Sequence, residues 1–197
     1  MDDALDLRQQ RTRQALTDAV LSLAEEQAIA DVTMAQLARR AGVHRTTLYQ
    51  HLSAPPQWLA EVLAQQLDAV RETHLRLPAD APSAEVGQAT RRAVLAVLGH
   101  LQVHEGIYRR ELADGRSPVA AMLSAHFAAS ARALIEAHGL GPPGVDTPPE
   151  IFAELASRWI ADGAVGAMTV WLRQEPPRDP EAYWRAHAAL LPAWWPR

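Results

Sequence analysis

The chain contains no cysteine and no lysine. Without cysteine there are no disulfides, no thiolate-held metals and no thiol nucleophile. Without lysine, all 19 residues counted as Lys+Arg are arginine. Also missing are an internal repeat, strand-like alternation of apolar and polar residues, a phosphate-cradling glycine loop, a nucleophile motif and the HExxH arrangement of metalloproteases. The longest apolar stretch, Trp159 to Leu172, is interrupted by Asp162 and falls short of the roughly 20 residues that a bilayer span requires. The chain opens Met1-Asp2-Asp3, where an export signal carries a basic and then an apolar segment. These absences lead to the expectation of a cytoplasmic, non-enzymatic protein without a cofactor.

What is present is helix. The 197 residues are 48% hydrophobic, with a mean hydropathy of -0.16 and a formal net charge of -4, which is ample to bury a core. Residues 2–7 read as a loose acidic lead-in, and Leu16, Ala19, Val20 and Leu23 then recur at helical spacing. The stretch from Thr33 to His51, TMAQLARRAGVHRTTLYQH, carries the most information. Met34, Leu37, Ala38 and Ala41 share one face of a short helix, and Gly42 stands where a left-handed residue would stop it. Val43 plugs the turn. A second short helix starts near His44, with Leu48 as its inward anchor and Arg45, Thr46, Thr47, Tyr49 and Gln50 outward. This is a helix-turn-helix pattern. Arg39, Arg40 and Arg45 lie in it without a single acid, so the basic character of an acidic chain gathers where a phosphate backbone would lie.

Residues 11–63 resemble the TetR family of one-component transcriptional regulators. The segment AGVHRTTLYQHL is close to the family's AGVSxGTLYxHF, and Thr33, Leu37-Ala38, Ala41-Gly42-Val43 and Thr47-Leu48-Tyr49-x-His51 fall in register. The sequence departs from the pattern at Ala24 and Leu52, where Phe is usual, at Ala28 (Gly), at His44 (Ser) and at Pro55 (Lys). The resemblance implies an all-α fold of about nine helices, with a helix-turn-helix DNA-binding domain over residues 1–54 and a helical ligand-binding and dimerisation domain over 55–197. It also implies phosphate contacts from Thr33, Thr47, Tyr49 and His51. Arg45 and Thr46, near the start of the second short helix, are the candidates for base edges, with His44 as a further donor or acceptor.

Beyond the turn, Trp58, Leu59, Val62, Leu63, Leu67 and Val70 predict a connecting helix that runs to about Leu77, before the break at Pro78 to Pro82. Helices are then expected from Ala84 to about His104, through Tyr108 to Leu112, from Pro118 to Gly139, from Pro149 to Gln174 and from Pro180 to Trp194. Small residues at 163, 164, 166 and 167 beside tryptophans suit close helix approach, so a homodimer through the last two helices is expected. Bulky or polar residues on apolar faces are the candidates for an effector pocket: Trp58, His100, His104, Tyr108, Met122, His126, Phe127, Trp159 and Met168.

The function expected is a sequence-specific DNA-binding transcriptional regulator, a repressor released from its operator by a small molecule. Two other readings compete. A helical interaction protein of the same fold without DNA binding is suggested by the net acidity and by Pro55. A metal-dependent enzyme is suggested by His100 and His104, four residues apart beside Glu105, although no third ligand is identifiable.

Overall fold

Proline decides where most of the helices begin. Its fixed φ and missing N–H suit the first turn, where that N–H has no intrahelical partner. The computed structural model describes residues 2–44, 48, 54–113, 115–144 and 146–197, residues 2–8 by backbone alone. Among these it defines eight α-helices and no strand: α1 (Asp2–Glu26), α2 (Met34–Ala41), α3 (Pro55–His74), α4 (Ser83–Val103), α5 (Glu105–Glu111), α6 (Pro118–His138), α7 (Pro149–Arg173) and α8 (Pro180–Leu190). Prolines open α3, α6, α7 and α8, and Pro82 caps α4. A single 3-10 turn, Ile29–Asp31, links α1 to α2. Of the ninth expected helix, only His44 and Leu48 lie within the described residues.

Three expectations are corrected. Residues 2–7 are not a loose lead-in but part of α1. Ala28, where the family pattern has Gly, takes an extended conformation (φ -60, ψ 129), and the chain enters the 3-10 turn. The connecting helix α3 stops at His74, one turn short of Leu77. The last helix ends at Leu190, not Trp194: the ring of Pro192 pushes Leu191 into an extended conformation (ψ 147), and a turn closed by Trp195 N–H to Pro192 O (2.9 Å) folds the two final tryptophans back onto the bundle.

One buried cluster runs from Leu16, Val20 and Leu37 through Leu48 to Leu59 and Leu63 on α3, and on to Leu98, Tyr108, Leu123 and Trp171. The expected boundary between residues 54 and 55 coincides with the start of α3, and apolar packing continues across it. A second cluster, with Val86, Leu134, Ile135, Ile160, Leu191 and Trp195, closes the far end. Helix α6 is long and apolar enough to cross a membrane by composition alone (mean hydropathy 1.3). It lies instead between α3 and α7, with Val119, Leu123, Leu134 and Ile135 buried.

Candidate nucleic-acid interface and internal cavity

The helix-turn-helix is built from short-range interactions. Thr33 caps α2 reciprocally: its Oγ1 accepts from Gln36 N–H (3.2 Å), while Gln36 Oε1 accepts from Thr33 N–H (2.8 Å) and from the Thr33 hydroxyl (2.7 Å). At the other end Gly42 is left-handed (φ 66), and Val43 N–H reaches back to Ala38 O (3.1 Å). Leu37, Ala38 and Leu48 are buried, and Val43 packs against them. Leu48 N–H donates to His44 O (3.2 Å).

Thr33, Arg39 and His44 are exposed, and Arg39 and His44 flank a groove beside the turn. Arg40 is committed elsewhere. Its guanidinium forks onto Glu26 of α1 (2.7 Å to each oxygen) and donates to Ser22, which holds the Glu26 carboxyl below its usual range. Of the three arginines in this stretch, Arg40 therefore braces α2 on α1 and Arg39 remains to face outward. Arg45, Thr46, Thr47, Tyr49 and His51 lie outside the described residues.

A cavity of about 100 Å³ lies among α3, α4, α6, α7 and α8. Three of the nine pocket candidates line it: His126, Phe127 and Met168. The other six lie elsewhere. Trp58 is buried under the head, with the Arg13 guanidinium 5.0 Å over its ring. Met122 packs against the main core. Trp159 is 62% exposed on α7 and faces outward.

His100, His104 and Tyr108 form a separate cluster where α4 meets α5. His100 Nε2 is 2.8 Å from the Tyr108 hydroxyl, and the two histidine rings meet edge to face at 5.0 Å. Burial, with the adjacent His104, lowers the His100 pKa to about 4, and burial pushes the Tyr108 hydroxyl up. Glu105, the acid beside the histidine pair, is turned to other work. Its carboxylate is forked by Arg178 (2.8 and 2.9 Å), an arginine whose side chain is only 2% exposed and whose Nε donates to Gln174 O. Those hydrogen bonds lower the Glu105 pKa to about 2. Among the described residues no group of three metal-ligating side chains assembles.

The cavity has walls that helical periodicity alone does not single out. Leu67 and Val70 come from α3, Leu75 from the cap that ends it, and Val94 and Val97 from α4. His187 and Trp195, which the sequence pattern groups with a dimer interface, point into the protomer and line the cavity instead. The readable signal was a histidine on the apolar face of α8, and its reassignment needed the neighbours. Burial lowers the pKa of both His126 and His187.

Two links tie the head to the bundle. Helix α3 packs its first half in the head and lines the cavity with its second. Helix α5 meets the end of α1, where Arg110 donates to Ala24 O, and Gly106 lies so close that a Cβ there would stand 2.5 Å from Glu25 Oε2.

Residues 16–53 match the family model described as bacterial regulatory proteins, tetR family. Over 57 residues, 29% of the chain, the sequence is 39% identical to the HTH-type transcriptional regulator SrpR of Pseudomonas putida, and this match spans 27% of that relative. Two solved structures share the fold. The TetR-family repressor FadR of Thermus thermophilus, in complex with lauroyl-CoA, superposes with a TM-score of 0.62 at 20% identity, over 91% of this chain and 92% of that one. A TetR-family regulator from Streptomyces coelicolor does so with a TM-score of 0.61 at 18% identity, over 92% and 80%. The head matches the tetR-family model over residues 16–53, and the chain shares the fold of these TetR-family structures along nine-tenths of its length.

Proposed function

We propose that this protein is a cytoplasmic, homodimeric DNA-binding repressor, released from its operator when a small molecule enters the cavity beneath α3. The observation that carries this reading is the capped, glycine-terminated α2 followed by a buried Leu48, with exposed polar and cationic side chains around the turn. In this reading Arg45 and Thr46, helped by His44, read base edges, and Thr33, Thr47, Tyr49 and His51 hold phosphates. The Thr33 hydroxyl already serves the cap, so its lone pairs and exposure are shared between the two tasks.

Two heads must stand about 34 Å apart to enter successive major grooves, which requires a two-fold dimer. Ile151, Leu155, Trp159, Gly163, Gly166 and Val170 form one exposed stripe along α7, apolar at its ends and small in its middle. Most aromatic residues of α8 and the tail are buried in their own protomer, which moves the weight of the expected interface onto α7. Ligand in the cavity would press on the second half of α3 and shift the head at its first half. Driving such an equilibrium from mostly bound to mostly released takes roughly 5.5 kcal/mol of differential affinity.

Selection from a random duplex pool tests the reading: recovery of a two-fold symmetric site supports it, and failure to enrich any sequence sinks it. On the recovered site, Arg45→Ala should relax sequence preference, whereas Tyr49→Phe should weaken all duplexes alike. One observation favours the competing interaction protein without DNA binding. Helix α3 opens with Pro55-Pro56, which offers a phosphate neither a cation nor a backbone N–H. Failure of the selection would favour that alternative.

A further inference from the structure

Most of the cavity wall is ordinary core, but one of its polar groups is not satisfied as core requires. His187, 8% exposed, stacks on Tyr183 (5.6 Å between ring centroids) and has no hydrogen bond among the described residues. Buried donors and acceptors left in this state cost stability, unless something that is not part of the chain completes them. Other polar groups of the wall are already engaged. The Thr90 hydroxyl donates to Val86 O, the Ser130 hydroxyl donates to His126 O, and His126 Nδ1 lies 3.7 Å from Asp68.

We propose that the effector is an uncharged, single-ring molecule bearing one hydrogen-bonding oxygen, its ring against Val97, Phe127 and Met168 and its oxygen toward His187. This rests on the ligand-responsive reading above and adds the chemical class.

Charge selects neutrality. Among the described residues neither an acid nor a lysine lines the cavity. Its one strong cation, Arg71, has a half-exposed side chain at the rim and is matched by Asp68 at 2.7 Å. Burial keeps His126 and His187 in their neutral forms at neutral pH. An ammonium or carboxylate entering these walls loses its hydration and meets no uncompensated opposite charge. Size selects one ring: apolar cavities of about 150 Å³ accept benzene, and this one measures about 100 Å³ with its rim open.

The test is calorimetry on the full chain without DNA at pH 7.5, using benzyl alcohol, benzylammonium, benzoate and toluene. Benzyl alcohol should bind saturably, at least tenfold more tightly than either ion. His187→Phe, which keeps the ring stack, should weaken benzyl alcohol about tenfold and leave toluene nearly unchanged. Ala164→Leu fills the cavity from α7 and should abolish both, with the folded state checked by circular dichroism. If Ala164→Leu fails to fold, the His187→Phe comparison decides. Either ion binding as tightly as the alcohol, an alcohol affinity indifferent to His187→Phe, or no saturable binding by benzyl alcohol overturns the proposal. Duplex selection on ligand-free protein is independent of this outcome. A selected duplex with no benzyl alcohol binding removes the effector class and leaves the regulator. Benzyl alcohol binding with no selected duplex does the reverse.

Discussion

The head and the far end of the bundle solve opposite packing problems. In the head, Leu16, Val20, Leu37 and Leu48 are fully buried, and local capping satisfies both ends of α2. In the bundle, α3, α4, α6, α7 and α8 enclose open volume and leave polar groups of His187 and Trp195 without partners among the described residues. A part that must present one surface gains from dense packing, because a close-packed core has few alternatives. A part that must respond to a ligand keeps a region in which two packings lie close in energy, and incomplete filling provides it.

The largest effect that would sharpen this contrast is a cavity made in the head. Leu37→Ala should cost about 2–5 kcal/mol in urea denaturation, while Val97→Ala, in a wall that already faces empty space, should cost about 1 kcal/mol or less. Equal costs would break the comparison. Next, the bundle also contains a fully satisfied polar site, and Arg178→Ala there should cost about 2 kcal/mol, because it removes the two shorter charged hydrogen bonds of the Glu105 carboxylate and leaves that from Arg109 at 3.2 Å. A neutral result would show that the Glu105–Arg178 fork is replaceable by solvent.

The same substitution carries a pH signature. The folded Glu105 pKa is depressed from 4.5 to about 2, so its contribution is complete above about 4.5 and is lost as pH falls toward 2. The stability of Arg178→Ala should therefore vary less than that of the parent across that window.

Smaller again, Thr33→Ala should cost about 1 kcal/mol by removing the α2 cap, read as a shift in the denaturation midpoint. A further effect lies where the two regions meet. The folded His100 pKa is depressed from 6.5 to about 4, so its neutral, buried form favours the fold above about 6.5, and that advantage is lost as pH falls to 4. His100→Phe should flatten the decline of stability between those values, and an unchanged slope would assign the decline to the other buried histidines.

Much of this could be read without coordinates, because it depends on neighbours in the chain. Pro118, Pro149 and Pro180 open helices where expected, Gly139 closes one with φ 58, and Thr33 and Gly42 bracket α2. Periodicity also assigned Leu37 and Leu48 to the inside. It did less well with large side chains that have two ways to be buried. Trp159 and Trp184 sit in similar apolar helix patterns, yet the first is exposed and the second packs inside its protomer. His126, Phe127 and Met168 met at one cavity, while His100, His104 and Tyr108, equally conspicuous on an apolar face, met one another away from it, with Tyr108 in the main core.

The sequence alone determined the order of the helices, their caps and the chemistry displayed around the turn, since each rests on backbone geometry and hydrogen bonds spanning a few residues. Tertiary structure decided which apolar faces meet, that Arg178 holds Glu105 from 73 residues away, that Arg40 serves Glu26, and that His187 looks into empty space. Burial is a property of several helices at once, and the spacing of residues along one helix does not say which partner will cover it.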